Sequence, residues 1–350
     1  MLGAGQESEE MRDYCIITTI APPTHSVSLL SEHLQQFGVR LVIVGDRKGP
    51  EKYELEYSAV DFLPFSKQQN GPYELGRILP TDHYARKNVG YLHAIAGSAS
   101  LIYETDDDNA PSANWQMRQE KTQHVRVVPS PPPDQPRWVN IYSYFSSENI
   151  WPRGFPLDSV GVPAPKLELS EKAVISPIQQ GLVDNSPDVD AIWRLTQDRP
   201  FRFDSGSSIY LQPGNWCPFN TQSTWWWPAA YPLLYIPSHC SFRMCDIWKS
   251  FIAQRCLWGM GCGVVFHAAE AVQERNYHNL TRDFEDEIPG YLGNRRFAEV
   301  LWHLALVPGK ENAADNLVRC YEALQTAGFF PADELALVRA WVADFEKLPR

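Results

Sequence analysis

Residues 83–109 read HYARKNVGYLHAIAGSASLIYETDDDN, and they hold the clearest structural pattern in the chain. Over 83–96 the apolar residues recur at helical spacing, which predicts an α-helix. Residues 100–104 form a short apolar run that is typical of a buried strand. This strand leads directly into three consecutive aspartates, Asp106–Asp108. The stretch therefore predicts a helix, a buried strand and an acidic turn in immediate succession.

The residues before this stretch repeat the same alternation. Apolar, β-branched runs at 14–20, 39–44 and 59–65 predict three further strands. Residues 26–37 have the spacing of a helix, which is expected to end at Gly38. Strands that alternate with helices in this order predict an α/β fold with a mainly parallel central sheet. Ligands of such sheets bind beyond the carboxyl ends of the strands, where the acidic turn lies.

The composition is that of an acidic globular protein. The 350 residues include 42 Asp and Glu against 31 Lys and Arg, which gives a formal net charge of −11. This balance argues against a general nucleic-acid or anionic-membrane surface, because phosphates need a basic face. No run of 18 or more apolar residues is present, so no membrane span is expected. The amino terminus also lacks the pattern of a signal peptide.

The three aspartates after the strand are the strongest candidate site. Adjacent carboxylates repel one another, and a hard divalent cation would offset that repulsion. Alternate residues of an extended segment point to the same side, so Asp106 and Asp108 can face one ion. The alternative is a solvated acidic turn without a ligand. The preceding strand and the winding of the chain favour a metal site.

Two cations, Arg86 and Lys87, lie just before the acidic strand in the predicted helix. Together with backbone donors of the first helical turn, they are candidates for binding phosphate groups. The alternative is that both are ordinary surface cations. Phosphate binding is the hypothesis that connects them to the acidic turn.

Four more polar residues are candidates. Asp188 and Asp190 share a side if their segment is extended, and they can bind hydroxyl groups or act as a base; the alternative is a capped turn. Asp246 lies near the start of an amphipathic helix, either as a base or only as a partner of the helix dipole. His267 ends the run VVFH, and it is a metal ligand only if the fold returns it to the acidic turn.

Several of these segments, in this order, resemble the STELLO glycosyltransferases of plants. The resemblance is carried by RKNVGYLHAI (86–95), YETDDDN (103–109), NIWPRGFPLDSVG (149–161) and QQGLVDNSPDVDAIWRLT (179–196). WPRGFPL and SPDVDAIWRLT are its most specific parts. The DDD run, PDVDA and the helix that contains CDIW are also similar, more distantly, to UDP-arabinopyranose mutases, the reversibly glycosylated polypeptides.

Both resemblances imply a GT-A type fold that uses a nucleotide sugar, expected to be a UDP-sugar, and a divalent metal, Mn²⁺ or Mg²⁺. Carried over position by position, Asp106 and Asp108 resemble the metal-binding aspartates of a DxD motif. Asp107 lies between them, where the family contacts ribose or sugar. Asp46, which follows the second predicted strand, matches the position that commonly contacts the base.

The resemblance also implies roles near the acceptor. His267 is placed like the late histidine ligand of many GT-A enzymes, and Asp246 is placed like the acid near the acceptor. If the reaction inverts the anomeric centre, a carboxylate must take the proton of the acceptor hydroxyl. Asp246 is the first candidate for this base and Asp190 is the second. Asp188 is expected to bind the sugar nucleotide.

The expected domain organisation combines the implied GT-A fold with the helical pattern of the last 60 residues, which the resemblance does not clearly cover. A GT-A domain is predicted over 1–290, with a nucleotide-binding half at about 14–110 and an acceptor half at about 137–290. Residues 291–350 are predicted to be a C-terminal helical extension. STELLO proteins carry a membrane anchor and act in the Golgi, whereas this chain shows none. The expectation is therefore a cytoplasmic protein, with the Golgi lumen as the alternative if the chain is part of an anchored protein.

The function predicted from the sequence is a metal-dependent glycosyltransferase acting on a nucleotide sugar and a glycan or other hydroxyl acceptor. The first alternative is a sugar-nucleotide mutase that interconverts pyranose and furanose forms. The second is a non-catalytic scaffold of a glycan-synthase complex. The intact run of three aspartates argues against a scaffold, because clustered carboxylates are costly and a scaffold has no need for them.

Overall fold

The computed structural model describes residues 12–275 and 279–349. Its strands are, in chain order, β1 (Asp13–Thr18), β2 (Arg40–Val44), β3 (Val60–Leu63), β4 (Leu101–Thr105), β5 (Asn109–Pro111), β6 (Lys121–Thr122), β7 (Arg126–Val128), β8 (Arg137–Trp138), β9 (Glu168–Leu169), β10 (Val174–Ile175), β11 (Ile178–Asp184), β12 (Ile209–Leu211), β13 (Asn215–Trp216), β14 (Ser223–Trp226) and β15 (Val264–Gln273).

The α-helices within these residues are α1 (His25–Phe37), α2 (Phe65–Gln69), α3 (Glu74–Ile78), α4 (Lys87–Ala96), α5 (Ala191–Gln197), α6 (Cys245–Gly259), α7 (Leu280–His303), α8 (Ala313–Thr326) and α9 (Ala332–Glu346). Short 3₁₀ helices lie at Tyr84–Arg86, Ile141–Tyr144, Leu157–Ser159, Pro228–Leu234, Phe242–Met244 and Lys310–Asn312. In the described part of the chain, no helix combines the length and the apolar character needed to cross a membrane.

The central sheet confirms the predicted α/β fold. Along the order β3–β2–β1–β4–β14–β11–β15, only β14 runs against the other six strands. The sheet continues as β12, β7 and β9, and β5 pairs with β15. A mainly parallel sheet with helices wound around it is consistent with a GT-A-like fold.

Helix α1 shows why the first alternation folds as the sequence predicts. Thr24 caps its amino terminus by accepting a hydrogen bond from the amide of Val27 at 3.1 Å. Gly38 ends it in the left-handed conformation, with a φ of 65° that glycine adopts without strain. Between these caps, Leu30 and Leu34 are buried against the sheet, so one apolar stripe holds the helix in place.

Helix α4 packs unusually closely on the sheet because of Gly90. A Cβ atom at that position would lie 2.6 Å from Val44 Cγ2 and 2.8 Å from Ile16 Cγ2, inside van der Waals contact. The absence of a side chain lets the helix backbone approach β1 and β2 directly. This close approach fixes the start of α4 next to the carboxyl end of β4.

The carboxyl ends of the parallel strands form one edge of the sheet. β1, β2 and β4 pair in the same direction, so the chain leaves them on the same side. The loops that follow these strands carry Thr19, Asp46 and Asp106–Asp108. Residues that are far apart in the sequence are therefore brought to one edge, as the winding of the chain predicts.

The C-terminal helices that the sequence predicts are present, and they pack on the rest of the described chain. Helix α7 runs without a break across the predicted boundary between 290 and 291. Trp341 of α9 is fully buried and donates from Nε1 to the carbonyl of Pro232 at 2.8 Å. The carboxylate of Asp344 accepts a hydrogen bond from the amide of Leu75 at 2.8 Å. The helices share the main hydrophobic core with the sheet.

Candidate active site

A cavity of about 370 Å³ opens at the carboxyl ends of the parallel strands. Part of its lining comes from the loops after β1, β2 and β4, and part from residues at the start of α6. Six residues predicted from the sequence line it: Asp46, Asp106, Asp107, Asp108, Asp188 and Asp246. The fold thus brings the acidic turn, the aspartate after β2 and two later aspartates to one place.

Each carboxylate of the acidic turn has a hydrogen-bond donor of its own. Asp106 Oδ1 accepts from the Tyr84 hydroxyl at 2.5 Å and from Lys87 Nζ at 3.2 Å. Thr19 donates to Asp107 Oδ2 at 2.5 Å. Gln273 Nε2 lies 3.1 Å and 3.0 Å from the two oxygens of Asp108. These contacts hold the turn in one conformation, although only Lys87 supplies a compensating charge.

The burial of the acidic turn changes the pKa of its carboxyl groups. Burial raises the pKa of Asp106 and of Asp107 above the usual range for aspartate. The pKa of Asp108 is raised to about 7, first by burial and then by the neighbouring Asp106 carboxylate. A cation next to these oxygens would favour the ionised forms and relieve the repulsion.

The oxygen atoms of the turn suit a hard divalent cation. Carboxylates are the ligands that Mg²⁺ and Mn²⁺ prefer, and Mg²⁺ sites often use one or two of them together with waters and substrate phosphates. Asp106 and Asp108 meet that requirement. Among residues 12–275 and 279–349, no group of three or more His, Cys, Asp or Glu side chains is arranged as a complete metal site. Any ion held by these two carboxylates would need further oxygen ligands, such as water molecules.

The two cations before the acidic strand have separate environments. The side chain of Lys87 is fully buried, and its Nζ donates to the carbonyl of Thr105 at 2.6 Å as well as to Asp106. Arg86 does not line the cavity: its guanidinium donates to Gln68 Oε1 at 2.6 and 2.9 Å and to the carbonyl of Leu79 at 3.1 Å. The predicted role of Arg86 in phosphate binding is therefore wrong, because its donors are used inside the core.

Arg153 joins the two later aspartates of the cavity. Its guanidinium donates to Asp188 at 2.7 and 2.8 Å and to Asp246 at 2.9 and 2.7 Å. Although burial acts in the opposite direction, the positive charge of Arg153 lowers the pKa of Asp188. Bidentate pairs of this kind fix the orientation of both carboxylates. The cavity therefore contains a buried arginine clamp, Asp188–Arg153–Asp246.

Sequence analysis missed Arg153 as a site residue. The motif WPRGFPL contains it and was among the most specific parts of the resemblance, but the motif alone does not show which side chains the arginine contacts. Its partners lie 35 and 93 positions further along the chain. A single arginine between proline and glycine in an apolar segment was the available signal, since such a cation must find a buried partner.

Asp190 caps a helix and does not line the cavity. Its Oδ1 accepts from the amide of Trp193 at 2.8 Å, which makes it the N-cap of α5, and its Oδ2 accepts from Trp151 Nε1 at 2.7 Å. Burial raises its pKa to about 6. The prediction of Asp190 as a second candidate base is therefore wrong, and the capped turn that was the alternative is the structure found.

His267 does not reach the acidic turn. Its ring nitrogens are hydrogen-bonded to Gln179 Oε1 at 2.8 Å and Ser208 Oγ at 2.7 Å, and the residue is buried. Strand β15 does not end at His267 but continues to Gln273, which is the residue that contacts Asp108. Six further residues of strand separate the two positions by roughly 20 Å. The predicted ligand role of His267 is therefore wrong, because the strand is longer than its apolar run indicates.

The chain is similar in sequence to a family of known proteins. Residues 243–349 match the family model of the STELLO glycosyltransferases. The chain is 26% identical over 333 residues to the Arabidopsis thaliana protein named Probable glycosyltransferase STELLO1, and 27% identical over 332 residues to Probable glycosyltransferase STELLO2. The resemblance to the STELLO glycosyltransferases is confirmed. Each match covers 88% of this chain and 41% of the relative, so the chain spans about two fifths of the length of these STELLO proteins.

The family match also bears on the C-terminal helices. The matched STELLO region, 243–349, begins just before α6 and includes α7, α8 and α9. It contains Asp246 of the arginine clamp together with the helices that pack on the main core. The helical part that the sequence motifs did not cover is thus part of the STELLO similarity. The more distant resemblance to UDP-arabinopyranose mutases stays a prediction.

Proposed function

We propose that this chain is a metal-dependent glycosyltransferase domain that transfers a sugar from a UDP-sugar to a hydroxyl group of a glycan or another acceptor. The observation that carries the proposal is the acidic turn Asp106–Asp108, which lines a cavity at the carboxyl edge of the sheet beside Asp46. The similarity to proteins named probable glycosyltransferases supports the same function.

The charge of the cavity supports the requirement for a cation. The described residues that line it include seven aspartates but only three cationic side chains, those of Lys48, Arg153 and Arg243. A diphosphate that entered this excess of negative charge alone would be repelled. Asp106 and Asp108 are the residues that would hold Mn²⁺ or Mg²⁺. When bound, such an ion neutralises the charge that develops on the departing nucleoside diphosphate.

The residues around the acidic turn are proposed to position the donor. Lys87 holds Asp106 toward the cavity, and Thr19 holds Asp107. The carboxylate of Asp46 is fixed by the amides of Arg47 at 2.7 Å and His83 at 2.9 Å. Since each carboxylate oxygen accepts more than one hydrogen bond, Asp46 keeps acceptor capacity for the nucleoside.

The arginine clamp is proposed to form the sugar and acceptor side of the site. Asp188 and Asp246 line the cavity, and Arg153 fixes the orientation of both carboxylates. Asp188 is proposed to accept hydrogen bonds from sugar hydroxyls. If the transfer inverts the anomeric centre, Asp246 is the proposed base for the acceptor hydroxyl, because its Oδ2 accepts from Arg153 and keeps capacity for a second proton donor.

A matched pair of variants distinguishes the two aspartates that the sequence suggested as bases. Asp246→Asn is expected to lower the turnover number by about 100-fold or more, as loss of a general base does. Asp190→Asn keeps the N-cap but loses the acceptor of Trp151 Nε1, so it is expected to lower the melting temperature and, because residue 190 does not line the cavity, to leave turnover within about twofold of the wild type. Steady-state transfer assays on both variants check this. Equal losses in both, or none in Asp246→Asn, would contradict the assignment.

Titration calorimetry with UDP tests the proposed function directly. The protein is expected to bind UDP in the presence of Mn²⁺, and binding is expected to disappear when excess EDTA removes the ion. A panel of UDP-sugars with Mn²⁺ then identifies the donor by its affinity. Unchanged binding in EDTA would contradict the metal dependence, and no binding of UDP with Mn²⁺ would favour the scaffold alternative.

The reaction products distinguish the mutase alternative from the proposed glycosyltransferase. Incubation with UDP-arabinopyranose and Mn²⁺, without an acceptor, yields UDP-arabinofuranose if the protein is a mutase. A transferase yields the free sugar by slow hydrolysis, or a glycoside when an acceptor is added. Appearance of the furanose form would contradict the proposed sugar transfer and would support ring interconversion.

A further inference from the structure

His83 lies between the two ends of the proposed nucleotide site. Its backbone amide donates to Asp46 Oδ2 at 2.9 Å, and the next residue, Tyr84, donates its hydroxyl to Asp106 Oδ1 at 2.5 Å. Because Tyr84 is the adjacent residue, these two hydrogen bonds attach the segment 83–84 to both Asp46 and Asp106. Its side chain lines the cavity. His83 is therefore held between the aspartate assigned to the nucleoside and the aspartate assigned to the ion.

The hydrogen bond of one ring nitrogen sets the tautomer of His83. Nδ1 lies 3.0 Å from the amide nitrogen of Ala85 and caps the 3₁₀ helix Tyr84–Arg86. A backbone amide can only donate, so Nδ1 must be the unprotonated acceptor. The proton of the neutral ring is then on Nε2. Burial lowers the pKa of His83, although the carboxylates of Glu334 and Asp46 oppose this, and the neutral ring is favoured near pH 7.

The protonated nitrogen has no acceptor within the described chain. No hydrogen bond joins His83 Nε2 to residues 12–275 or 279–349, although the ring contacts Phe242 edge-on at 6.0 Å between centroids. The two oxygens of Asp46 accept hydrogen bonds from the backbone amides of Arg47 and His83, and neither oxygen is bonded to the ring of His83. A fixed N–H group that lines a cavity and lacks an internal partner is suited to a ligand acceptor.

The tautomer also excludes coordination of a metal ion by the ring of His83. A nitrogen that carries a proton cannot coordinate a metal ion, and Nδ1 is occupied by the amide of Ala85. His83 is thus a donor and not a further ligand of the acidic turn. Because the ring is uncharged, its N–H adds a directed hydrogen bond without changing the net charge of the cavity.

We propose that His83 is a positioning residue whose Nε2–H donates a hydrogen bond to a phosphate oxygen of the bound nucleoside diphosphate. This inference rests on the proposed function. The diphosphate connects the nucleoside, assigned to Asp46, with the ion, assigned to Asp106 and Asp108, and His83 lines the same cavity on a segment that is hydrogen-bonded to both Asp46 and Asp106. Phosphate oxygens are strong acceptors, and a donor that is fixed in advance loses little conformational freedom on binding.

The variant His83→Asn removes the Nε2–H donor and keeps an acceptor for the amide of Ala85. The side-chain carbonyl of asparagine can take the place of Nδ1 as acceptor of the Ala85 amide, so the local fold is kept, but the variant has no group at the position of Nε2. His83→Gln does the reverse, since its side-chain amide reaches the Nε2 position while the cap is lost. His25→Asn changes an exposed histidine that does not line the cavity, and it serves as the control.

The test measures binding of UDP and of uridine to each protein by calorimetry with Mn²⁺ present, using displacement of UDP for the weaker nucleoside. His83→Asn is expected to bind UDP about tenfold more weakly than the wild type, with unchanged affinity for uridine and an unchanged melting temperature. His83→Gln is expected to recover much of the UDP affinity while its melting temperature falls, and His25→Asn is expected to match the wild type.

Two results would overturn the inference about His83 and leave the proposed function standing. Wild-type affinity for UDP in His83→Asn would show that Nε2 makes no contact with the phosphates. An equal loss of UDP and uridine affinity would move the contact to the ribose. If the wild-type protein does not bind UDP with Mn²⁺, the proposed function fails and this inference fails with it, so the two failures are distinguished by the wild-type titration.

Discussion

Asp106→Asn and Asp108→Asn are each expected to lower Mn²⁺-dependent hydrolysis or transfer from a UDP-sugar by about a thousandfold or more. Each change removes one negative charge and one candidate ion ligand while it keeps the shape of the side chain. In Asp106→Asn the partners Tyr84 and Lys87 remain, but the acceptor of the Lys87 charge is weakened. Assays at a series of Mn²⁺ concentrations check whether the loss of activity is caused by weaker binding of Mn²⁺.

The variant Asp108→Asn is expected to stay folded. The pKa of Asp108 is raised to about 7 in the folded protein, above the ordinary value of 3.8. Ionising it therefore costs folding stability, and this cost grows as the pH rises from about 4 to about 7. The uncharged amide in Asp108→Asn carries no such cost. Without metal, the melting temperature of this variant at pH 8 should therefore equal or exceed that of the wild type.

Asp158→Asn is the control for loss of a negative charge. Asp158 is an exposed residue that pairs with Arg295 and does not line the cavity, so activity should be unchanged. Full activity in both variants of the acidic turn, or activity of the wild type in excess EDTA, would remove the metal assignment.

Arg153→Ala is expected to lower the free energy of unfolding by about 3–5 kcal/mol, because it leaves two buried carboxylates without a counter-charge. Asp188 and Asp246 both depend on the Arg153 guanidinium, and all three side chains are less than a tenth exposed. Arg153→Lys is expected to recover only part of this loss, since a single ammonium group cannot form two bidentate pairs. Urea unfolding at pH 7 measures each difference.

The matched control is Arg295→Ala. Arg295 also makes a close pair with an aspartate, Asp158, but the two side chains are 46% and 65% exposed. Exposed pairs of this kind contribute about 0–1 kcal/mol, so the control should unfold at nearly the wild-type urea concentration. A loss in Arg153→Ala as small as that of the control would mean that the two carboxylates are stabilised by other groups.

The parallel part of the sheet and the acidic turn were predictable because their signals are local. The apolar runs that became β1, β2 and β4 are each contained within a few consecutive residues, and the turns that follow them are placed by the direction of the strands. Position at the end of a parallel strand was therefore enough to place Asp46 and Asp106–Asp108 at one edge.

The errors have a different physical origin. The end of β15 is decided by its pairing with β11 and β5, which no local pattern shows, and His267 was therefore placed at the wrong end of the strand. Asp190 and Asp188 lie two positions apart, yet one caps α5 and the other faces the cavity. Arg86 and Lys87 likewise diverge because adjacent residues point in different directions. Only tertiary contacts determine the environment of each of two such neighbouring residues.

The hydrogen bond between Asp344 and the amide of Leu75 has a consequence for biosynthesis. It joins helix α9 to the short helix α3 across 269 residues. A ribosome adds about 5–20 residues per second, so the amino-terminal half waits many seconds before its partner is made. The contact between α3 and α9 therefore forms only after residue 344 has been synthesised, and the part of the core that α9 covers lacks this partner until then.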